Sequence, residues 1–462
     1  MSNYKEQNIA VVGLSTEGQD SAKFFVSEEA NVTCCDRRSP EELGELYTNL
    51  VPLGVSFQLG PTYLTGIEKY DLVVRTQGME LATPEFANLR ESGKLTSNVK
   101  LFFEECQGPI VGVTGTKGKG TTSTLIWEML KAEGKRAHLG GNVGTALLSR
   151  VRDITPDDWV VMELSSFQLE DLTKSPHVAV VLRITQDHLA NFDPLASNYH
   201  VNREAYIEAK RAIVRHQTPN DIVIVNALDE VSMSFADLTP ARRYMFARTD
   251  THADARVVGD AVVVNTDGKD EVVCTSEEIH LRGIHNLENI AAAALAARAA
   301  GVDLASVRRA AIAFEGLEHR LELAGEAAGV SYYNDSFSTV PETTIAAVDA
   351  FAEPKVLILG GSEKGADFTD LGAHIARTNV HTAIVIGAMT ERIVTALKNA
   401  GYKGTIIVGK RNMKDIVTAA KSQARKGDVV ILSPACASFD MFKNYKERGR
   451  QFKHEVSQLS HI

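Results

Sequence analysis

The stretch Val111-Gly-Val-Thr-Gly-Thr-Lys-Gly-Lys-Gly-Thr-Thr122 decides how the rest of the chain is read. Pro109 and the largely apolar run from Ile110 to Val113 predict a buried strand, and Ser123 to Leu130 carries apolar residues at helical spacing. A strand, a glycine-rich turn with a lysine, and a helix, in that order, cradle a phosphate chain. Backbone N–H groups converge on the anion and the helix dipole favours it. Gly115, Thr116, Lys117, Gly118, Lys119 and Gly120 form the predicted loop, with Lys119 placed to neutralise charge on the β- and γ-phosphates. The spacing departs from G-x-x-x-x-G-K-[ST]: Gly120 follows the lysine and the hydroxyl waits until Thr121.

The chain has 462 residues, and at ~150 residues per domain it should hold about three domains. Hydrophobic content of 44% with 23% charged residues is the balance of a soluble globular protein. A net charge of −10 argues against general nucleic-acid binding, although a local basic cleft can still hold phosphates. Cys34, Cys35, Cys106, Cys274 and Cys436 show no C-x-x-C spacing and fit reduced thiols in a cytoplasm. The first residues, Met1-Ser-Asn-Tyr-Lys-Glu-Gln7, lack the apolar core of a signal peptide, and no apolar run approaches the ~20 residues of a membrane span. A cytoplasmic monomer with no membrane or nucleic-acid partner is the expectation.

Toward the N-terminus, Asn8–Gly13 reads as a short buried strand, Ala22–Val26 as the apolar face of a helix, and Asn31–Cys35 as a second strand ending in Asp36. An acid about 20 residues beyond a glycine turn is placed like a Rossmann ribose contact, or it caps the next turn. The turn Gly13-Leu-Ser-Thr-Glu-Gly18 lacks the full G-x-G-x-x-G, so a dinucleotide signal is weak. Asp71–Arg75 gives another strand, followed by Gly78 in a turn.

Beyond the phosphate loop, Gly140-Gly-Asn142-Val-Gly144 is a tight polar turn. Glu163 ends the strand Trp159–Met162, where a carboxylate beside a phosphate loop is placed to hold Mg2+. Val178–Leu182 leads to His188, which is either structural or a metal ligand. Lys210 lies on a helical stretch and, taken alone, reads as a solvated lysine. Asn286 and Asn289 stand one turn apart at the start of an Ala-rich helix, where they can share a ligand or, for Asn286, serve as a cap. After Arg320, strands at Val330–Tyr333, Val356–Leu359, Ala383–Ile386, Thr405–Val408 and Val429–Leu432 alternate with amphipathic helices such as Met413–Ala424. Polar clusters follow three of these strands: Asn334–Thr339, Gly360–Lys364 and Ser433–Ser438. Such strand ends are where doubly wound sheets bind ligands.

The expected fold is therefore α/β in three domains: a Rossmann-like N-terminal domain over 1–107, a central P-loop ATPase-like domain over 108–316, and a Rossmann-like C-terminal domain over 317–462.

Several segments together resemble the Mur ligase superfamily, and within it the branch that adds glutamate. They are the loop form G-T-x-G-K-x-T, Glu163-Leu-Ser-Ser-Phe-Gln-Leu169, Gly316-Leu-Glu-His-Arg320, Gly360-Gly361 with Lys364-Gly-Ala-Asp367-Phe368, Leu432-Ser-Pro-Ala-Cys-Ala-Ser438 and Phe442-Lys-Asn-Tyr445-Lys-Glu-Arg448-Gly449. The resemblance spans essentially the whole chain. The loop form alone is shared with folylpolyglutamate synthases.

This likeness implies a role for each domain. The first would hold a UDP-linked substrate, with Gly13, Leu14, Ser15 and Thr16 near the pyrophosphate, Asp36 and Arg37 near uracil, and Gly78 close by. Asn142 and Ser165 of the second would also touch that substrate. Gly115 to Thr121 would bind ATP, helped by Asn286 and Asn289 at adenine and by Arg320 and Asp335 at phosphates and ribose. Thr121, Glu163, His188 and a carbamylated Lys210 would bind or support Mg2+. Thr339, Lys364, Ser438 and Tyr445 would hold the incoming glutamate.

The implied reaction is ATP-dependent addition of D-glutamate to UDP-N-acetylmuramoyl-L-alanine through an acyl phosphate, with domain closure near Gly316. A sister ligase using L-glutamate, another amino acid or a folate is the alternative. A catalytically silent nucleotide-binding protein is disfavoured, because nucleotide binding alone does not need Lys119, Glu163, His188 and Lys210 together. The chain departs from the family in four places: Gly120, Phe337 where a lysine is common, Arg183 with Ala190 around His188, and Arg75-Thr-Gln-Gly78 in place of an S-P-G turn.

Overall fold

A computed structural model describes residues 4–185, 198–249, 252–266, 268–363 and 365–459. The described residues build three sheets, each interleaved with helices.

The first sheet contains β1 (Asn8–Val12), β2 (Asn31–Asp36), β3 (Ser56–Leu59), β4 (Leu72–Arg75) and β5 (Leu95–Ser97), in the order β3-β2-β1-β4-β5. All its pairings are parallel. Ile9 to Val12 are wholly buried because crossover helices cover both faces of a parallel sheet. The order reverses between β1 and β4, so the turns after these strands flank a topological switch point.

The second sheet runs β6 (Ile110–Thr114), β7 (Ala137–Gly141), β8 (Trp159–Glu163), β9 (Val178–Val181), β10 (Ile222–Asn226), β11 (Arg242–Ala247), β12 (Ala255–Val258), β13 (Ala261–Thr266) and β14 (Lys269–Thr275). Its order is β14-β13-β12-β11-β10-β9-β6-β8-β7. The last two pairings, β12 with β13 and β13 with β14, are antiparallel. Here the switch point lies between β6 and β9, and the phosphate loop leaves the end of β6.

The third sheet holds β15 (Glu322–Ala327), β16 (Val330–Asn334), β17 (Lys355–Gly360), β18 (Val380–Ile386), β19 (Thr405–Ile407) and β20 (Val429–Leu432). β15 pairs antiparallel with β16; the remaining order β16-β20-β17-β18-β19 is parallel. Because β20 lies between β16 and β17, the three polar segments that follow these strands leave one sheet edge side by side.

The first two sheets belong to one compact unit. The third belongs to another, together with the described residues from 276 to 286 and from 312 onward. Polar contacts bind the first unit internally. The buried Asp20 carboxylate accepts from the Leu148 and Ser149 amides at 2.9 and 3.2 Å and from Asn98 Nδ2 at 3.1 Å. Buried Arg75 pairs with Glu170 and Asp171 at 2.9 and 3.1 Å. Among the described residues, no helix is long and apolar enough to cross a membrane.

Candidate functional site

The phosphate loop joins β6 to the helix Lys119–Ala132, whose N-cap is Gly118. Gly118 has φ +86°, and a Cβ there would stand 2.5 Å from Asn289 Oδ1, so both backbone and space require glycine. The Thr116 amide donates to Arg183 O at 2.9 Å, tying the loop to the chain that follows β9 across the switch point. The Thr116 hydroxyl accepts from the Thr185 amide at 2.9 Å and lies 3.1 Å from the Tyr206 hydroxyl. Lys119 Nζ turns back over the loop and donates to the carbonyls of Gly115 and Thr116 at 3.1 and 3.0 Å. The cation therefore already covers the place where a phosphate chain would enter. Lys117 is exposed, while Gly120 and Thr121 are buried in the first helical turn.

Glu163 ends β8 and is 5% exposed, yet its Oε2 has no hydrogen-bond partner among the described residues. A buried carboxylate oxygen with nothing to accept from is costly, and a cation would satisfy it. Lys210, in the helix Arg203–Arg215, is 1% exposed, so the reading of it as a solvated lysine is overturned. Its Nζ donates to Thr114 Oγ1 at 3.2 Å and lies 4.7 Å over the Tyr206 ring. Thr114 in turn donates to Leu164 O at 2.9 Å, so the lysine is linked to the chain just past Glu163. His188 lies outside the described residues. His200, which carried no sequence signal, is buried, stacks on Phe167 at 4.6 Å and shares a 2.9 Å hydrogen bond with the Ser166 hydroxyl. Asn289 accepts from the Thr122 hydroxyl at 3.4 Å; Asn286 donates to Arg282 O at 2.7 Å.

At the switch point of the first sheet, a Cβ on Gly18 would lie 2.0 Å from Gly13 O, which explains the close turn between β1 and the helix Thr16–Ser27. Asp36 is buried and accepts from the Leu14 amide at 2.8 Å, the Arg38 amide at 3.0 Å and Arg38 Nε at 2.9 Å. Burial works against its charge, but the Arg38 guanidinium and the two amides hold the carboxyl below the usual range. Asp36 pairs with Arg38 at 2.8 Å while Arg37 beside it is exposed, and the Leu14 amide is engaged by Asp36 with the Leu14 side chain wholly buried. Ser15 and Thr16 are the exposed groups of the turn, and Gly78 is exposed in the turn after β4.

Gln77, between Thr76 and Gly78, reaches across to the second sheet. Its Nε2 donates to Asn142 Oδ1 at 3.1 Å, and the Ser165 hydroxyl donates to its Oε1 at 3.0 Å. Asn142 follows β7, and Ser165 caps the short helix Ser166–Leu169 by accepting from the Gln168 amide at 3.2 Å. Asn142 and Ser165, both expected at the substrate, are thus brought together by a residue that sequence reasoning passed over.

In the second unit, the three strand-end segments interlock. Ala435 N donates to Ser338 O at 3.0 Å, Gly360 N to Pro434 O at 2.7 Å, and Ser362 N to Ala437 O at 2.9 Å. Asp335 is buried, accepts from the Ser433 hydroxyl at 2.7 Å and the Leu321 amide at 3.2 Å, and is pushed up to about 6 by burial. The Arg320 guanidinium lies 4.0 Å over the Phe337 ring, which meets Tyr445 edge-on at 5.1 Å. Ser438 is buried and Thr339 half-buried. Lys364 lies outside the described residues. Wholly buried Arg448, also missed, donates to Ser336 Oγ and O at 2.9 Å and to Cys436 O and Ala437 O at 3.2 Å, bracing two of the three segments.

The order of these parts is matched by known proteins. Residues 113–297 match the Mur ligase middle domain and residues 319–436 the Mur ligase glutamate ligase domain. A Symbiobacterium thermophilum protein named UDP-N-acetylmuramoylalanine–D-glutamate ligase is 39% identical over 459 residues, covering 98% of this chain and 99% of its own. The chain belongs to the Mur ligase family. A Clostridium kluyveri protein of the same name is 36% identical, with 98% and 97% covered. The crystal structure of a UDP-N-acetylmuramate–alanine ligase from Thermotoga maritima shares the fold at a TM-score of 0.62 and 17% identity, covering 98% and 100%. As a Mur ligase the protein is an ATP-dependent, ADP-forming ligase of three α/β domains that acts in peptidoglycan precursor synthesis. The Mur ligase middle domain match runs from the end of β6 through Asn289. The glutamate ligase domain match takes in Arg320, Asp335, Thr339 and Cys436, but stops short of Ser438 and Tyr445.

Proposed function

We propose that this Mur ligase joins D-glutamate to UDP-N-acetylmuramoyl-L-alanine, with ATP split to ADP and phosphate. The observation that carries this reading is the 39% identity, over nearly the whole of both chains, to a relative named for that reaction. ATP phosphorylates the terminal carboxylate of the nucleotide-linked substrate, the amine of glutamate attacks the acyl phosphate, and the tetrahedral intermediate expels phosphate.

In this reading Gly115 to Thr121 enclose the phosphates, and Lys119 exchanges its two carbonyl partners for phosphate oxygens. Asn286 and Asn289 reach adenine, and Arg320 and Asp335 reach the phosphates and ribose. Gly13, Leu14, Ser15, Thr16, Asp36, Arg37, Gly78, Asn142 and Ser165 hold the UDP-linked substrate. Thr339, Lys364, Ser438 and Tyr445 hold glutamate.

Among the described residues no three His, Cys, Asp or Glu side chains are grouped to cage a metal. The unpartnered oxygen of Glu163 and the hydroxyl of Thr121 nevertheless suit a Mg2+ that takes its other oxygens from the nucleotide and water. When bound, the ion offsets charge on the transferring phosphoryl group. His188 and a carbamylated Lys210 complete the proposed support of that ion; a carbamate would turn a buried cation into an oxygen donor beside Thr114. ATP and a UDP-linked substrate, with five free cysteines, suit a cytoplasmic enzyme, and we take it to act as a monomer.

Phosphate release with ATP, Mg2+ and UDP-N-acetylmuramoyl-L-alanine, offering D-glutamate and L-glutamate separately, tests the reading. Turnover requiring D-glutamate is the expected result. Turnover with L-glutamate alone would keep the mechanism and reassign the amino acid; release without either would replace the ligase reading by that of an ATPase.

A further inference from the structure

We propose that Gln77 is a substrate-positioning residue, which aims the side-chain amide of Asn142 at the UDP-linked substrate. The inference rests on the functional reading above and goes beyond it, because that reading gives Gln77 no role.

The direction of the hydrogen bonds around Gln77 carries the argument. Gln168 accepts the Ser165 amide on its Oε1 at 3.0 Å, so its Nε2 is left to donate to Glu17 Oε1 at 2.6 Å. The Gln168 amide donates to Ser165 Oγ, and the Ser165 hydroxyl in turn donates to Gln77 Oε1. The Gln77 carboxamide is then oriented, with its Nε2 toward Asn142 Oδ1. Asn142 must therefore turn its own Nδ2 away from Gln77. Since Asn142 is exposed and its backbone is anchored by a 3.1 Å bond from its amide to Glu163 O, the two free N–H groups are presented outward from a fixed base. Two outward donors recognise carbonyl or carboxylate oxygens, the groups a peptide-bearing substrate offers.

The backbone of Gln77 is itself held. Its amide lies 3.4 Å from Glu17 Oε2, and its carbonyl accepts from Asn198 Nδ2 at 2.9 Å. The glutamine thus sits at the switch point of the first sheet while directing a side chain at the edge of the second, a route by which the UDP-binding turn sets the geometry of a contact that it does not itself make.

Q77E tests this, because it keeps the size of the side chain and reverses its polarity toward Asn142. A carboxylate draws the Asn142 Nδ2 back and turns the amide over. The expected result is a KM for UDP-N-acetylmuramoyl-L-alanine raised about tenfold or more, with the KM for ATP and the thermal midpoint close to wild type. Q77A, N142A and the double variant form a cycle in which the effects on that KM should be strongly non-additive. An unchanged substrate KM in Q77E, an equal rise in both KM values, or additive effects in the cycle would overturn the proposal and leave a simple strut between two sheets. A wild-type protein silent toward this substrate would overturn the functional reading itself, and the inference with it.

Discussion

The Arg320 guanidinium lies 4.0 Å over the face of the Phe337 ring. A lysine there would repel the arginine; the ring supports it. Replacing Phe337 with leucine keeps apolar bulk and removes the π-face, a contact worth roughly 0.5–2 kcal/mol. The F337L variant should raise the KM for ATP by about threefold to thirtyfold, whereas F337Y should stay near wild type. Kinetics with ATP varied at saturating glutamate check this, and equal KM values in both variants would remove the ring from the argument.

Lys119 bends over its own loop, held by two carbonyls that a phosphate chain would displace. K119A should lower substrate-dependent phosphate release by about a hundredfold or more and leave the melting temperature nearly unchanged, since the lost bonds are only partly buried. Substantial residual turnover would mean that another cation serves the phosphates.

Gly118 combines a left-handed φ with a neighbour, Asn289 Oδ1, 2.5 Å from any added Cβ. G118A should therefore cost about 1–2 kcal/mol in backbone strain alone, and more from the displaced asparagine. Calorimetric titration should show ATP affinity falling together with the unfolding midpoint. Retention of both would mean that the loop relaxes freely.

Asp335 is raised from 3.8 to about 6, with burial as the main cause, and the sign of its effect follows. Below pH 3.8 the carboxyl is neutral in folded and unfolded chains alike. Between there and pH 6 the unfolded chain ionises first, so stability is lost as pH rises, by on the order of 2–3 kcal/mol in total. D335N escapes this loss. Its urea midpoint relative to wild type should therefore improve from pH 4 to pH 7.5, even though the variant loses activity at every pH. If Asp335 serves ATP as proposed, wild-type activity should rise through pH 6 as its carboxylate forms. A stability difference independent of pH would show that Asp335 titrates normally.

Lys210 is buried against Tyr206 and Thr114. K210A should be nearly inactive, and partly restored by acetate or another short-chain carboxylic acid if the working group is a carbamate oxygen. Full activity of K210A without added acid would take the residue out of the site.

Much of this was legible in the chain. β6, β8 and β9 were readable because strands buried on both faces read as runs of Val, Ile and Ala. The three polar segments after β16, β17 and β20 were readable as strand ends, and their adjacency follows from β20 inserting between the other two. Lys210 was misjudged as solvated when read alone, although a signal existed. Tyr206, Ile207, Lys210, Ile213 and Val214 recur at helical spacing on one buried face, so the lysine stands in an apolar stripe. Arg38 was also recoverable: an Asp that accepts from the amide two residues on forms an Asx turn, which brings the side chain of that second residue back to the carboxylate. Gln77 was not. Its partners lie 65 and 88 residues away, on another sheet, and no local pattern encodes such a pairing.

The bonds from Asp20 to the Leu148 segment, and from Arg75 to Glu170 and Asp171, have a consequence for how the polypeptide matures. Cut off after its first hundred residues, the chain would lack the Leu148 and Ser149 amides that Asp20 binds and the Glu170 and Asp171 carboxylates that Arg75 binds, and burying either charge without them would cost several kcal/mol. A nascent chain emerging N-terminus first meets that condition until Asp171 has been synthesised. The first sheet therefore gains these contacts only once the second sheet has begun to form.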